Sequence, residues 1–152
     1  MISFERLRDS REDNDLNQED MANILHVSRS AYSLWEIGIN IIPLKNLYDF
    51  AIYFNCSLDY ILGLSNERKS NILTKELDLK ILGNNLKKIR KQNNLTQKDM
   101  SLILNVTQAC ITRYEKGLVQ ISISNLYKIS KKFNISLDKL CTEEIRVNTV
   151  NV

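Results

Sequence analysis

The chain has 152 residues, 43% of them hydrophobic and 26% charged, a balance of globular domains and not of disordered, collagen-like or coiled-coil chains. No apolar run approaches the ~18 residues of a membrane-crossing helix, no secretory signal is expected from the charged opening Met1-Ile2-Ser3-Phe4-Glu5-Arg6, and three widely spaced cysteines (Cys56, Cys110, Cys141) do not fit a disulfide scaffold. The net charge of +3 hides an uneven split: five Lys/Arg against ten Asp/Glu up to Ser65, then sixteen against eight from Asn66 onward. A cytoplasmic protein is expected, with a polyanion as candidate partner of the basic half.

One Pro and four Gly predict a helical chain with few β-turns. The acidic half reads as five short helices. Asn17, Ser28 and Ser57 stand as N-caps, Gly38 as the stop of helix 3, and Pro43 opens helix 4 where proline is tolerated. The polar run Asn66-Glu67-Arg68-Lys69-Ser70-Asn71 reads as a linker. Thr74 to Lys91 reads as one helix or two, because Gly83-Asn84-Asn85 weakens its middle. In the basic half Leu86, Ile89 and Arg90 set the spacing of helix 1. Thr96 caps helix 2 and Asp99, at N3, is placed to close a capping box. Met100, Ile103 and Leu104 form its apolar stripe, and Asn105-Val106 breaks it. Thr107 caps helix 3, whose inward residues are Ile111 and Tyr114 and whose stop is Gly117. Ser124 to Phe133 makes helix 4, and Ser136 caps helix 5, Leu137 to Cys141. The tail, Glu143 to Val152, alternates loosely, as a pairing strand or a disordered end would.

The two halves are copies. Leu16-Asn17-Gln18-Glu19-Asp20-Met21 returns as Leu95-Thr96-Gln97-Lys98-Asp99-Met100, an offset of 79. Without a gap, Glu36 and Gly38 then match Glu115 and Gly117, and Ser57-Leu58-Asp59 matches Ser136-Leu137-Asp138. About a third of some 60 aligned positions are identical, so a repeat organises the chain. The expected layout is an acidic domain at 1–65, a linker at 66–80, a basic domain at 81–142 and a tail at 143–152.

Helix 2, a short turn and a helix 3 that opens on a hydroxyl cap and closes on Glu-x-Gly make a specific pattern. It is carried by Leu95 to Met100 with Val106 to Gly117, and by Val27 to Gly38, and it resembles the Cro/cI-type (XRE) helix-turn-helix family. The resemblance implies an all-α chain of two tandem lambda-repressor-like five-helix domains, and DNA binding by default.

The resemblance puts helix 3 of the basic copy in the major groove. Thr107, Gln108, Ala109, Thr112 and Arg113 fall on its outward face. Gln suits adenine, Arg suits guanine, and Thr or Ala can touch a thymine methyl. The matching family residue places Gln97 on a backbone phosphate beside a helix N-terminus, with Thr96, Lys98 and Lys116 as flanking positioning contacts. Lys87, Lys88, Arg90 and Lys91 make helix 1 basic. Arg90 with Glu115, and Arg11 with Glu36, match a structural ion pair of the family and are read as fold-holding. In the acidic copy the corresponding DNA set is Gln18, Ser28, Arg29, Ser30 and Ser33. It is weakened by Glu19, Asp9, Glu12, Asp13 and Asp15, and Leu34 replaces Arg113. The apolar Leu34, Ile37, Ile39 and Ile41 would suit a protein contact instead.

His26 is the single histidine, no Gly-rich phosphate loop, CxxC or HExxH occurs, and the carboxylates are scattered. No enzyme, metal site, cofactor or small-molecule ligand is expected. The expected role is a sequence-specific double-stranded DNA-binding transcriptional regulator of repressor type. Either both copies read DNA, as an intramolecular pseudo-dimer or in a homodimer, or the acidic copy serves as dimerisation or docking module. The alternative of another class is a protein-interaction adaptor or antitoxin-like partner.

Overall fold

The computed structural model describes residues 2–70 and 76–145. Ten helices run through them: α1 Glu5–Asp13, α2 Gln18–Ile24, α3 Arg29–Glu36, α4 Leu44–Phe54, α5 Leu58–Ile61, then α6 Leu79–Gln92, α7 Gln97–Leu104, α8 Gln108–Glu115, α9 Ile123–Phe133 and α10 Leu137–Thr142. The described residues hold no strand, only one isolated antiparallel bridge, Cys56 to Lys69. No described helix is long and apolar enough to cross a membrane.

Side-chain caps set most of the boundaries. Asn17 and Thr96 each close a full capping box, with Asp20 and Asp99. Ser28, Thr107, Ser57 and Ser136 each accept the N3 amide of the helix they open, satisfying one of the orphan N–H groups of a helix start. Ser122 does the same for α9, so that helix begins at Ile123 and not at Ser124. The turn between the second and third helix of each copy needs a left-handed residue, supplied by His26 (φ 57°) and Asn105 (φ 54°); Asn tolerates that region better than most side chains.

Two expectations change. Gly83-Asn84-Asn85 does not interrupt α6, which runs fourteen residues from its N-cap Asp78. Gly83 is a packing residue: a Cβ there would collide with the backbone oxygens of Tyr114 and Glu115, so glycine lets α6 lie directly on the end of α8. Asn85, fully buried, is a tie and not a weakness. Its Nδ2 donates to the carbonyls of Leu140 and Glu143 (2.8 and 2.6 Å) and its Oδ1 accepts the Ile145 amide (3.0 Å). The polar run after Ser65 does not leave the first copy at once. Ser57 donates through its amide to the Arg68 carbonyl at 2.8 Å and through its hydroxyl to the Glu67 carbonyl at 2.9 Å. The proposed helix start at Thr74 and the tail beyond Ile145 lie outside the described residues.

One cluster of buried side chains runs through both copies. Leu7, Met21, Tyr32, Trp35, Leu47 and Phe50 lie in the first and Leu86, Met100, Ile111, Tyr114, Leu126 and Ile129 in the second. Each of these side chains contributes ~1.5–3 kcal/mol by leaving water. The copies meet where α5 packs on α10.

Candidate nucleic-acid interface

The buried side of α8 is Ile111 and Tyr114. Its other side leaves Thr107, Gln108, Ala109 and Arg113 exposed, with Lys116 just past its end. At the start of α7, Thr96 and Lys98 are exposed and Gln97 is half-buried. A side-chain chain joins the two helices: the Thr112 hydroxyl donates to Gln97 Oε1 at 3.0 Å, and Gln97 Nε2 donates to Glu115 at 3.3 Å. Thr112 also lies 3.3 Å from the Gln108 carbonyl. Its hydroxyl is therefore engaged within the protein, unlike the free polar groups of Gln108 and Arg113 that surround it.

Arg90 anchors this arrangement. Its Nε and Nη2 each reach Glu115 at 2.9 Å, and its Nη1 donates to the Leu95 carbonyl at 3.0 Å. One guanidinium thus fastens α6, the entry to α7 and the end of α8. The bond to Glu115 raises the pKa of Arg90 despite burial, which lowers it. Arg11 repeats the arrangement, with Glu36 at 2.6 and 3.1 Å and the Leu16 carbonyl at 2.7 Å. Burial pushes the Glu36 carboxyl up, but the bonds from Arg11 and Gln18 help to hold the group below its ordinary value. These are fold-holding pairs, as expected.

In the first copy Ser28, Arg29 and Ser30 are exposed on α3, while Ser33 is half-buried and bonds the Ser30 carbonyl at 3.1 Å. Gln18 donates to Glu36 at 3.1 Å, as Gln97 does to Glu115. Leu34 is half-buried, less open than Ile37, Ile39 and Ile41, which are 65%, 68% and 49% exposed. His26 is exposed in its turn. Cys56 and Cys141 are buried and Cys110 is half-buried. The described residues hold no group of three or more His, Cys, Asp or Glu that could bind a metal.

Sequence reasoning missed the Gln-to-Glu bond, although its signal was present: Gln18 and Glu36, like Gln97 and Glu115, stand 18 apart in both copies. It also missed Arg6. This residue occupies the position of Asn85 in the repeat and does the same work, donating from Nη1 to the carbonyls of Tyr60 and Ser65.

The family described as helix-turn-helix matches residues 7–61 and again residues 86–140. The chain belongs to the Cro/cI-type helix-turn-helix family. Two helix-turn-helix units therefore stand in tandem, in a family of DNA-binding proteins of transcription regulation. Among curated relatives, the antitoxin PezA of Streptococcus pneumoniae is 31% identical over 70 residues, covering 46% of this chain and 44% of that protein. The uncharacterised HTH-type transcriptional regulator YqaE of Bacillus subtilis is 42% identical over 60 residues, covering 40% of this chain and 52% of that protein. The chain thus spans about half the length of these relatives. Among solved structures, the restriction-modification controller protein C.AhdI of Aeromonas hydrophila aligns over 41% of this chain and 96% of its own, at 22% identity and a TM-score of 0.38. The clp gene regulator ClgR of Corynebacterium glutamicum aligns over 42% of this chain and 68% of its own, at 19% identity and a TM-score of 0.39.

Proposed function

We propose that this helix-turn-helix protein is a sequence-specific double-stranded DNA-binding transcriptional regulator that represses by occluding a promoter, with α8 as its major-groove reader. The observation that carries the reading is the exposed face of α8. It presents Thr107, Gln108 and Ala109 at its start and Arg113 toward its end, all exposed, and Lys98 and Lys116 are exposed too. Gln and Arg discriminate base edges, while the lysines and the free amides of the α7 start favour phosphate. Gln97 would meet the phosphate already oriented, because Glu115 and Thr112 hold its side chain. The excess of cations in the second copy supplies the salt-sensitive part of the affinity.

Affinity for a duplex selected from a random pool, measured against random DNA over a salt series, tests this. A regulator shows a specificity ratio of ~10³ or more; weak binding erased by salt on every sequence refutes it. That second outcome would favour an adaptor or antitoxin-like role. The exposed Ile37, Ile39 and Ile41 of the first copy and the similarity to the antitoxin PezA support that role, with the first copy as docking module.

A further inference from the structure

The two copies meet through an exchange that is its own mirror under the 79-residue offset. The Leu58 amide donates to Asp138 at 2.7 Å, and the Leu137 amide donates to Asp59 at 2.8 Å. Leu58 matches Leu137 and Asp59 matches Asp138, so each copy caps the other's last helix with the equivalent carboxylate. A contact in which residue i meets j and the image of j meets the image of i is isologous, the signature of a two-fold axis. Here the axis lies inside one chain, between α5 and α10.

A second feature lies near the junction in a less symmetric form. The Lys45 amide, at the start of α4, donates to the Gln120 side chain in the turn after α8. The images of these residues, Ser124 and Ile41, share one groove, although Ile41 has no acceptor to offer. The turn after α8 therefore touches the first copy, and the turn after α3 borders a groove that it shares with α9 of the second. A two-fold rotation preserves direction along its axis, so an axis that relates the two copies gives α3 and α8 the same sense along it. Duplex DNA has dyads of its own, and two reading helices related by a two-fold can enter successive major grooves when their separation matches one helical turn.

The two readers are not the same reader. Arg29 stands at the repeat position of Gln108, and Leu34 at that of Arg113. The guanidinium is thus near the start of α3 but near the end of α8. The first copy also carries exposed Asp9, Glu12 and Glu19, which weaken its hold on phosphate. Tethering compensates for that weakness: once α8 is seated, α3 faces its half-site at an effective concentration in the millimolar range, and such linkage can add ~10²–10⁴-fold to affinity.

We infer, resting on the DNA-reading function proposed above, that one chain binds as a built-in pseudo-dimer to an operator of two unlike half-sites about one helical turn apart, α8 reading the strong half and α3 the weak half. The test is selection of duplexes from a random pool with the intact chain, followed by binding to the selected site and its derivatives, with stoichiometry read by native mass spectrometry. The expected result is a 1:1 complex on two dissimilar motifs. Randomising the weak motif, or moving it by half a turn, should cost ~10-fold or more in affinity. Arg113→Ala should relax preference in the strong motif only, and Arg29→Ala in the weak motif only. A palindromic site filled by two chains, or a single motif indifferent to its flank, overturns the inference and leaves the regulator reading intact. Selection that enriches no motif at all overturns both.

Discussion

Arg90 and Glu115 carry opposite charges on a nearly buried contact, with side chains 10% and 4% exposed. Removing one partner strands the other in a poorly solvated place, at a cost of ~3 kcal/mol or more. Arg90→Ala should accordingly lower the stability measured by urea unfolding by about 3 kcal/mol, and Arg11→Ala should do the same in the first copy. Gln108 and Arg113 behave oppositely, because they are exposed and engaged with nothing that the fold requires. Gln108→Ala and Arg113→Ala should leave the unfolding midpoint unchanged and each cost ~1–3 kcal/mol of discrimination between the selected and a mismatched duplex, read by competition binding. Lys98→Ala should weaken all duplexes alike and lower the slope of log affinity against log salt by ~1. The ion pairs were legible in the sequence, since Arg11 and Glu36 recur as Arg90 and Glu115 despite the opposite charge balance of the copies, and the exposure of Gln108 and Arg113 followed from the helical spacing of Ile111 and Tyr114. Thr112 was not legible in this way. Its residue type suits a base contact, but only the packing of α7 on α8 shows its hydroxyl already bonded to Gln97.

At the scale of elements, Gly83 separates propensity from packing. Alanine is a better helix former by about 1 kcal/mol, so an isolated α6 would gain from Gly83→Ala. In the folded chain the new methyl meets the carbonyl oxygens of Tyr114 and Glu115, and overpacking against backbone costs ~1–3 kcal/mol. Thermal unfolding of Gly83→Ala should therefore show net destabilisation, and a stabilised variant would mean that α6 and α8 are not held so close. Local rules predicted the helix starts well, because a Ser, Thr or Asn cap acts over three residues. They misjudged Gly83-Asn84-Asn85, because what decides those residues lies in α8 and at the end of α10, about 30 and 55 positions away.

The whole molecule adds a titration. Asp138 is buried at the junction of the copies, and burial, with the nearby Asp59 charge, raises its pKa from 3.8 to about 6 against the Leu58 amide bond that lowers it. Tyr48, Cys141 and the Ser70 hydroxyl also face it. A carboxyl that binds its proton more tightly folded than unfolded adds stability that is complete below 3.8 and lost as pH rises through about 6. Stability should thus fall between those values, and Asp138→Asn, which keeps an acceptor for Leu58, should flatten that fall. Urea unfolding from pH 4 to pH 7 on both proteins measures it; parallel curves would place the titration elsewhere.

The amino-acid sequence by itself determined the helices, the repeat and the choice of outward residues on α8, because caps, apolar spacing and the 79-residue offset are local or periodic properties. It left open how the copies sit together. That was decided by tertiary structure, since Asp59 and Asp138 each follow the same Ser-Leu pair and nothing local distinguishes capping their own helix from capping the other's. Burial of the junction between α5 and α10 decides it: the amides of Leu58 and Leu137 are shielded from water there, and the acceptor within reach of each belongs to the opposite copy.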